Sequence, residues 1–273
     1  MQDFTVGEGT QTQSIGFDAT KRSKTVVTVG VLLNRTQEAL LLDDFCETIR
    51  DDGYLPFRTK SRDLSLDPET ATKILSNCNG EVAICTHQGD VTLEYAEAVH
   101  SAIIINELNI TTDNTIAIVD GSRSRADNLA QAVTPFETTP PPITNCVQSE
   151  FYYPHLLLAD LVAGAIADTF RETDRYLPSI SLGEPVGPLV DTTSRRDRWN
   201  RGYSAVARGE GEIQQPTYEQ RYADSVKERV SCWFQGQFGK THAPSPESDG
   251  VRPVVGRLKA MECESAATWL DDQ

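Results

Sequence analysis

The stretch from Ser14 to Leu33, SIGFDATKRSKTVVTVGVLL, constrains the fold more than any other part of the chain. It reads as two β-strands joined by a short basic turn, with apolar and β-branched residues on either side of Lys21, Arg22 and Lys24. The first strand carries Asp18 among Ile15, Phe17 and Ala19. Aspartate is depleted in strands and is seldom buried without a partner. A hairpin of this kind must therefore meet the carboxylate with a cation or a basic side chain, or leave it at the turn.

The pattern that follows alternates helices and strands. TQEALLLDDFCETIRDDG has helical spacing and stops at Gly53, YLPFR suits a short strand, and LDPETATKILSNCNG suits a helix with Asp67 as N-cap and Pro68 in the first turn. EVAICTH is expected to be a buried strand, and NTIAIVDGS a strand that ends at Asp120. Between them, DVTLEYAEAVHSAIIINELN predicts a long helix with Glu94 and Glu97 on its polar side. SRADNLAQAV then predicts a short helix and ITNCVQ a short strand. YPHLLLADLVAGAIADTFRE is apolar nearly all round, which predicts a buried helix. This order specifies an α/β fold: a mixed sheet with helices on both faces.

Charge sets the surface and the domain division. The 273 residues carry 40 acidic and 25 basic side chains, a net charge of −15, and only seven of the basic residues are lysine. Self-repulsion on this scale favours solubility and is screened in brine, as expected of a protein from a haloarchaeon or its virus; the alternative is an ordinary acidic cytosolic protein. Residues 1–172 hold 25 acidic and 12 basic side chains, whereas residues 173–273 hold 15 and 13. The shift predicts a main domain over 14–172 and an α-rich C-terminal extension over 173–273. In that extension RRDRWNRGYSAVARGEGE reads as a basic loop or arm, and two later segments read as helices.

No apolar run approaches a membrane span, and MQDFTVGEGTQTQ lacks the parts of a signal peptide, so a cytoplasmic protein is expected. The six cysteines form no CxxC pair and do not cluster with histidine, which argues for reduced, structural thiols over a zinc site.

Three aspartates share an unusual setting. Asp18 lies in an apolar strand, Asp120 closes TIAIVD ahead of Gly121 and Ser122, and Asp160 sits within LLLADLVAG. Unpaired burial of each would cost several kcal/mol or hold the acid protonated. Gathering them around Mg²⁺ or Mn²⁺ removes both problems, since these ions prefer oxygen ligands and reverse the repulsion between carboxylates. Two of the three have a simpler reading beside this one. Asp18 can cap the hairpin turn and pair with Lys21 or Arg22, and Asp120 can be a turn residue or N-cap. Asp160, in mid-helix, lacks a local capping role.

FDAT…TVVTVGVLL, then IAIVDGS, then LLLADLVAGAI resembles the order of acidic motifs in the RNase H-like superfamily. Folds of that superfamily begin with a β-hairpin whose first strand bears an aspartate. A later, adjacent strand ends in a second acid and a late helix brings a third. The ADLVAG helix is similar to one in poorly characterised RNase H-like proteins of prokaryotes and their mobile elements. The resemblance covers residues 14 to about 172. It implies a divalent-metal-dependent nuclease in which Asp18, Asp120 and Asp160 are metal ligands, with Glu97 or Glu94 as a further acid. It implies two ions about 4 Å apart that activate water for phosphodiester hydrolysis. The sequence departs from related ones in the Ala-Thr after Asp18 and in the long insertion over residues 34–80. The second reading is a catalytically inactive RNase H-like scaffold or interaction protein of a virus, plasmid or defence complex.

Arg195, Arg196, Arg198 and Arg201, interleaved with Trp199 and Tyr203, are candidates for weak nucleic-acid binding. The competing reading, which the acidity of the main domain favours, is pairing with the protein's own carboxylates or with a second subunit.

Overall fold

The computed structural model describes residues 13–34, 37, 41, 80–110, 115–136, 140–146, 154–173 and 186–209. The expected helices and strand between residues 35 and 79 lie outside the described residues apart from Gln37 and Leu41, as do the helices expected after residue 209.

Six strands form one mixed sheet. Strand β1 (Gln13–Arg22) and β2 (Thr25–Asn34) make the expected hairpin, paired in register from Gln13↔Asn34 to Arg22↔Thr25. The two-residue turn rests on Ser23, whose φ of 54° is in the left-handed region such tight hairpins use. Strand β3 (Glu81–Gln88) runs antiparallel to β2. On the other side, β4 (Thr115–Asp120) runs parallel to β1, and β5 (Ile143–Cys146) parallel to β4. Strand β6 (Val186–Asp191) adds in parallel to β3, giving the order β5-β4-β1-β2-β3-β6. β2 lies near the middle of this sheet and is buried from Thr25 to Leu33, which is why TVVTVGVLL reads as a continuous apolar run.

Helices cover both faces, as the sequence predicts. Helix α1 (Leu93–Glu107) packs on β1, β2 and β3, and α2 (Arg123–Val133) packs beside it near β5. Helix α3 (Pro154–Thr173) lies against β1 and β2 on the other face. Two glycines fix the spacing. A Cβ at Gly30 would stand 2.8 Å from the Phe17 ring and 3.0 Å from Ile104 of α1. A Cβ at Gly16 would stand 2.5 Å from the His155 ring and 2.7 Å from Leu156 of α3. Phe17 and Gly16 therefore point to opposite layers, and the two-residue period of a strand puts Ser14, Gly16 and Asp18 on the α3 side. The hairpin, the adjacent parallel strand ending in Asp120 and the late helix bearing Asp160 thus stand in the order expected from the sequence.

Two expectations are corrected. The RRDRWNRGYSAVARGEGE segment is not a basic loop: residues Arg196–Arg208 form helix α4, closed by Gly209 at φ 65°. Trp199, Gly202, Ala205 and Val206 recur at helical spacing and are buried, so this helix packs on α1 and α2. Gly202 permits the approach, since a Cβ there would stand 3.0 Å from Val99. Glu97 is not on a polar face either. Because α2 and α4 cover the outer side of α1, every residue from Ala96 to Ile105 is buried, Glu97 included, while Glu94 remains exposed. Cys85, within β3, is a buried thiol.

Candidate acidic site

The β1–β4 ladder ends at Phe17↔Val119, and the next residue on each strand is an aspartate, Asp18 and Asp120. Beyond that level β1 continues to Arg22 along β2 alone, while β4 ends and turns away at Gly121. The two carboxylates therefore stand at the fork where neighbouring strands part. Asp120 follows Val119, which belongs to the α1-side core, so alternation puts Asp120 on the α3 side together with Asp18.

Helix α3 runs along β1 in the same direction. Its start meets the start of the strand through Ser14 Oγ and His155 Nε2, 3.3 Å apart. Further along, Arg22 Nε donates to Asp168 Oδ1 at 3.0 Å. Asp160 falls between these two contacts and acts on Asp18. The pKa of Asp18 lies well above the usual carboxylate range, first because burial penalises its charge, then through the negative charges of Asp160, Asp120 and Glu97. The backbone N–H of Ala19 acts in the opposite sense. The two basic residues expected to pair with Asp18 are engaged elsewhere: Lys21 Nζ donates to the Val91 carbonyl at 2.6 Å, and Arg22 pairs with Asp168.

Glu97 reaches the fork from the other layer. Burial pushes its pKa up to about 8, with Asp120 and Glu94 adding to the rise and Arg125 opposing it. Its Oε2 accepts a hydrogen bond from Arg125 Nη1, whereas its buried Oε1 has no partner among the described residues. Burial works against the charge on Arg125, but Glu97, Asp120, Glu94 and Asp18 outweigh it and hold its pKa up. The structure thus brings Asp18, Asp120, Asp160 and Glu97 into one electrostatic unit and adds Arg125, which the sequence reading missed. A signal for it existed. Arg125 lies in the first turn of α2, where the helix dipole disfavours a cation and no acidic residue offsets it.

The donor chemistry fits a hard divalent cation: oxygen ligands only, mutual repulsion, and a buried carboxylate oxygen without a hydrogen bond. The spacing is looser than a finished cage. Among the described residues, no three His, Cys, Asp or Glu side chains are close enough to hold an ion as they stand. An ion would draw the carboxylates together.

The arginine candidates lie elsewhere, at the far end of α1. Arg195 grips Glu107 with two bonds of 2.6 and 3.2 Å, and Arg198 adds a third of 2.7 Å. These hydrogen bonds and charges, that of Arg195 foremost, hold the Glu107 carboxyl below its usual pKa. Arg201 pairs loosely with Asp197 at 3.4 Å, and Arg196 is exposed. Together with Asn106, Asn109 and Ser194 they line an open cleft of about 670 Å³. Glu107 is ten residues along the helix from Glu97, about 15 Å at helical rise.

No family model and no curated protein matches the chain. Among solved structures it is similar to a point mutant of Bst-RNase HIII, with a TM-score of 0.42 and 12% identity over 72% of this chain and 65% of that one. It is also similar to the ribonuclease H2 from Pyrococcus horikoshii OT3, at 0.39 and 16% over 80% and 99% of the two chains. A third is the PCNA:RNase HII complex from Archaeoglobus fulgidus, at 0.38 and 16% over 76% and 98%. The chain spans just under two thirds of the first of these, 65% of its length.

Proposed function

We propose that this protein is a divalent-metal-dependent nuclease that hydrolyses phosphodiester bonds at the fork between β1 and β4. The observation that carries the reading is geometric: Asp18 and Asp120 follow directly on the Phe17↔Val119 end of the β1–β4 ladder, and the charges of Asp160, Asp120 and Glu97 all act on Asp18. Four carboxylates from two strands and two helices whose charges act on one another are costly unless a cation offsets them. Asp18, Asp120 and Asp160 would hold Mg²⁺ or Mn²⁺, and Glu97 would complete the oxygen set. Bound there, two such ions supply an activated water and stabilise the leaving oxygen. The chain's own part is to fix the ligands. β1 and β4 carry their aspartates one residue beyond the Phe17↔Val119 pair, α3 brings the charge of Asp160 to bear on Asp18, and Glu97 is buried on α1.

The substrate on this reading is a nucleic-acid strand, with exposed Arg196 and Arg201 in the cleft beyond Glu107 as weak backbone contacts. A second reading is a non-catalytic scaffold of the same fold. It draws on the Arg125–Glu97 bond and on the loose spacing of the carboxylates.

Labelled single- and double-stranded DNA, RNA and hybrids, incubated with the protein in molar KCl and Mg²⁺ or Mn²⁺, separate the two. The nuclease reading expects cleavage that chelator abolishes and that Asp18→Asn and Asp160→Asn lose. Cleavage retained in both variants, or no cleavage of any substrate by folded protein, overturns it.

A further inference from the structure

Arg125 is held in the acidic site by a built arrangement. Gly121 has φ 107°, and a Cβ there would stand 2.8 Å from Arg125 Cδ and 3.0 Å from its Nε. The absent side chain leaves the groove along which the arginine stem folds back over the end of β4. From there its guanidinium bonds to Glu97 on the preceding helix, α1. The side chain is only 22% exposed, and Glu97, Asp120, Glu94 and Asp18 all act on it. The neighbouring Arg123 behaves differently: it pairs with Asp127 of its own helix at 2.7 Å.

We infer that Arg125 is a resident cation of the acidic site, bound to Glu97 and competing with a divalent ion for the same carboxylates. This rests on the metal-site reading above. The Arg125 guanidinium offsets part of the charge of Glu97 and Asp120 and bonds to one of the two Glu97 oxygens. The other oxygen stays buried and without a hydrogen bond among the described residues. A guanidinium donates hydrogen bonds in a plane and cannot draw carboxylates into a shared coordination sphere, which accounts for acids that repel one another without forming a closed cage. Arg125 therefore sets the cation affinity of the site.

The test is the loss of the free Mn²⁺ signal in electron paramagnetic resonance, in molar KCl, for wild type, Arg125→Gln, Arg125→Lys, Arg123→Gln and Asp18→Asn. Arg123→Gln makes the same change in net charge at a half-buried ion pair within α2 and controls for the overall field. The expected result is Mn²⁺ binding about tenfold tighter in Arg125→Gln, near wild type in Arg125→Lys and within about twofold of wild type in Arg123→Gln. Arg125→Met, which keeps the aliphatic stem, serves the same comparison if Arg125→Gln does not fold. Equal or weaker binding in Arg125→Gln, with a wild-type site that Asp18→Asn loses, overturns the inference and leaves the metal-site reading standing. Weak binding that Asp18→Asn leaves unaltered in wild type, and that Arg125→Gln does not improve, overturns both.

Discussion

Asp160 of α3 acts on Asp18 of β1 more strongly than any other charged neighbour, second only to burial in raising the proton affinity of that carboxyl. The two are brought together by a helix that follows the strand from Ser14–His155 at one end to Arg22–Asp168 at the other. Everything proposed for the site depends on that alignment.

The alignment predicts a large effect from a small change at Gly16. A methyl group there meets the His155 ring and Leu156, both buried, so α3 must move away from β1. Gly16→Ala is expected to lose about 1–3 kcal/mol of stability, measured by urea unfolding. Metal affinity should fall with it, although no ligand has been touched. A fully stable variant would mean that α3 is not seated on the strand as described.

Buried histidine gives the fold a defined acid sensitivity. His100 on α1 pairs through Nδ1 with Thr28 Oγ1 at 2.8 Å, and burial lowers its pKa to about 3. In the folded state it stays neutral, whereas the unfolded chain takes up a proton below about pH 6.5. Stability from this group is present above that pH and is lost as pH falls toward 3, by up to about 5 kcal/mol. His155 shifts in the same direction for the same reason. His100→Gln should flatten the decline of the unfolding midpoint between about pH 6.5 and 3.5. An unaltered slope would show that His100 is not the titrating group.

Glu107 neutralises part of the arginine cleft, since Arg195 and Arg198 both close on it. Replacing it with Gln releases two cations without altering the acidic fork. Glu107→Gln is expected to raise affinity for a labelled single strand at low salt and to steepen the log–log salt dependence by about one unit. Filter binding over a salt series reads this directly. An unchanged slope would remove the cleft from the nucleic-acid surface.

Much of this was legible in the sequence, for particular reasons. Asp160 stood out because an aspartate in mid-helix among Leu156, Leu157, Ala163 and Gly164 has no local capping role. The hairpin was legible because its alternation and basic turn are local signals, and β4 because TIAIVD is short, β-branched and stopped by Gly121. What depended on packing was harder to read. Glu97 had the spacing of a solvent-facing residue, and only the docking of α2 and α4 over α1 buries it. Helix α4 was obscured by its arginines, although Trp199, Gly202 and Val206 carry its period. Arg125 drew no attention because its partner, Glu97, lies on a different helix.

The most direct test of the central claim is a calorimetric titration of Mn²⁺ into wild type and Asp160→Asn in molar KCl, where diffuse binding to the acidic surface is screened. Asp160 is the informative position because it comes to the fork from α3, apart from the two paired strands. The account predicts a saturable heat of binding in wild type that Asp160→Asn loses while remaining folded. A wild-type isotherm reproduced unchanged by Asp160→Asn would contradict it.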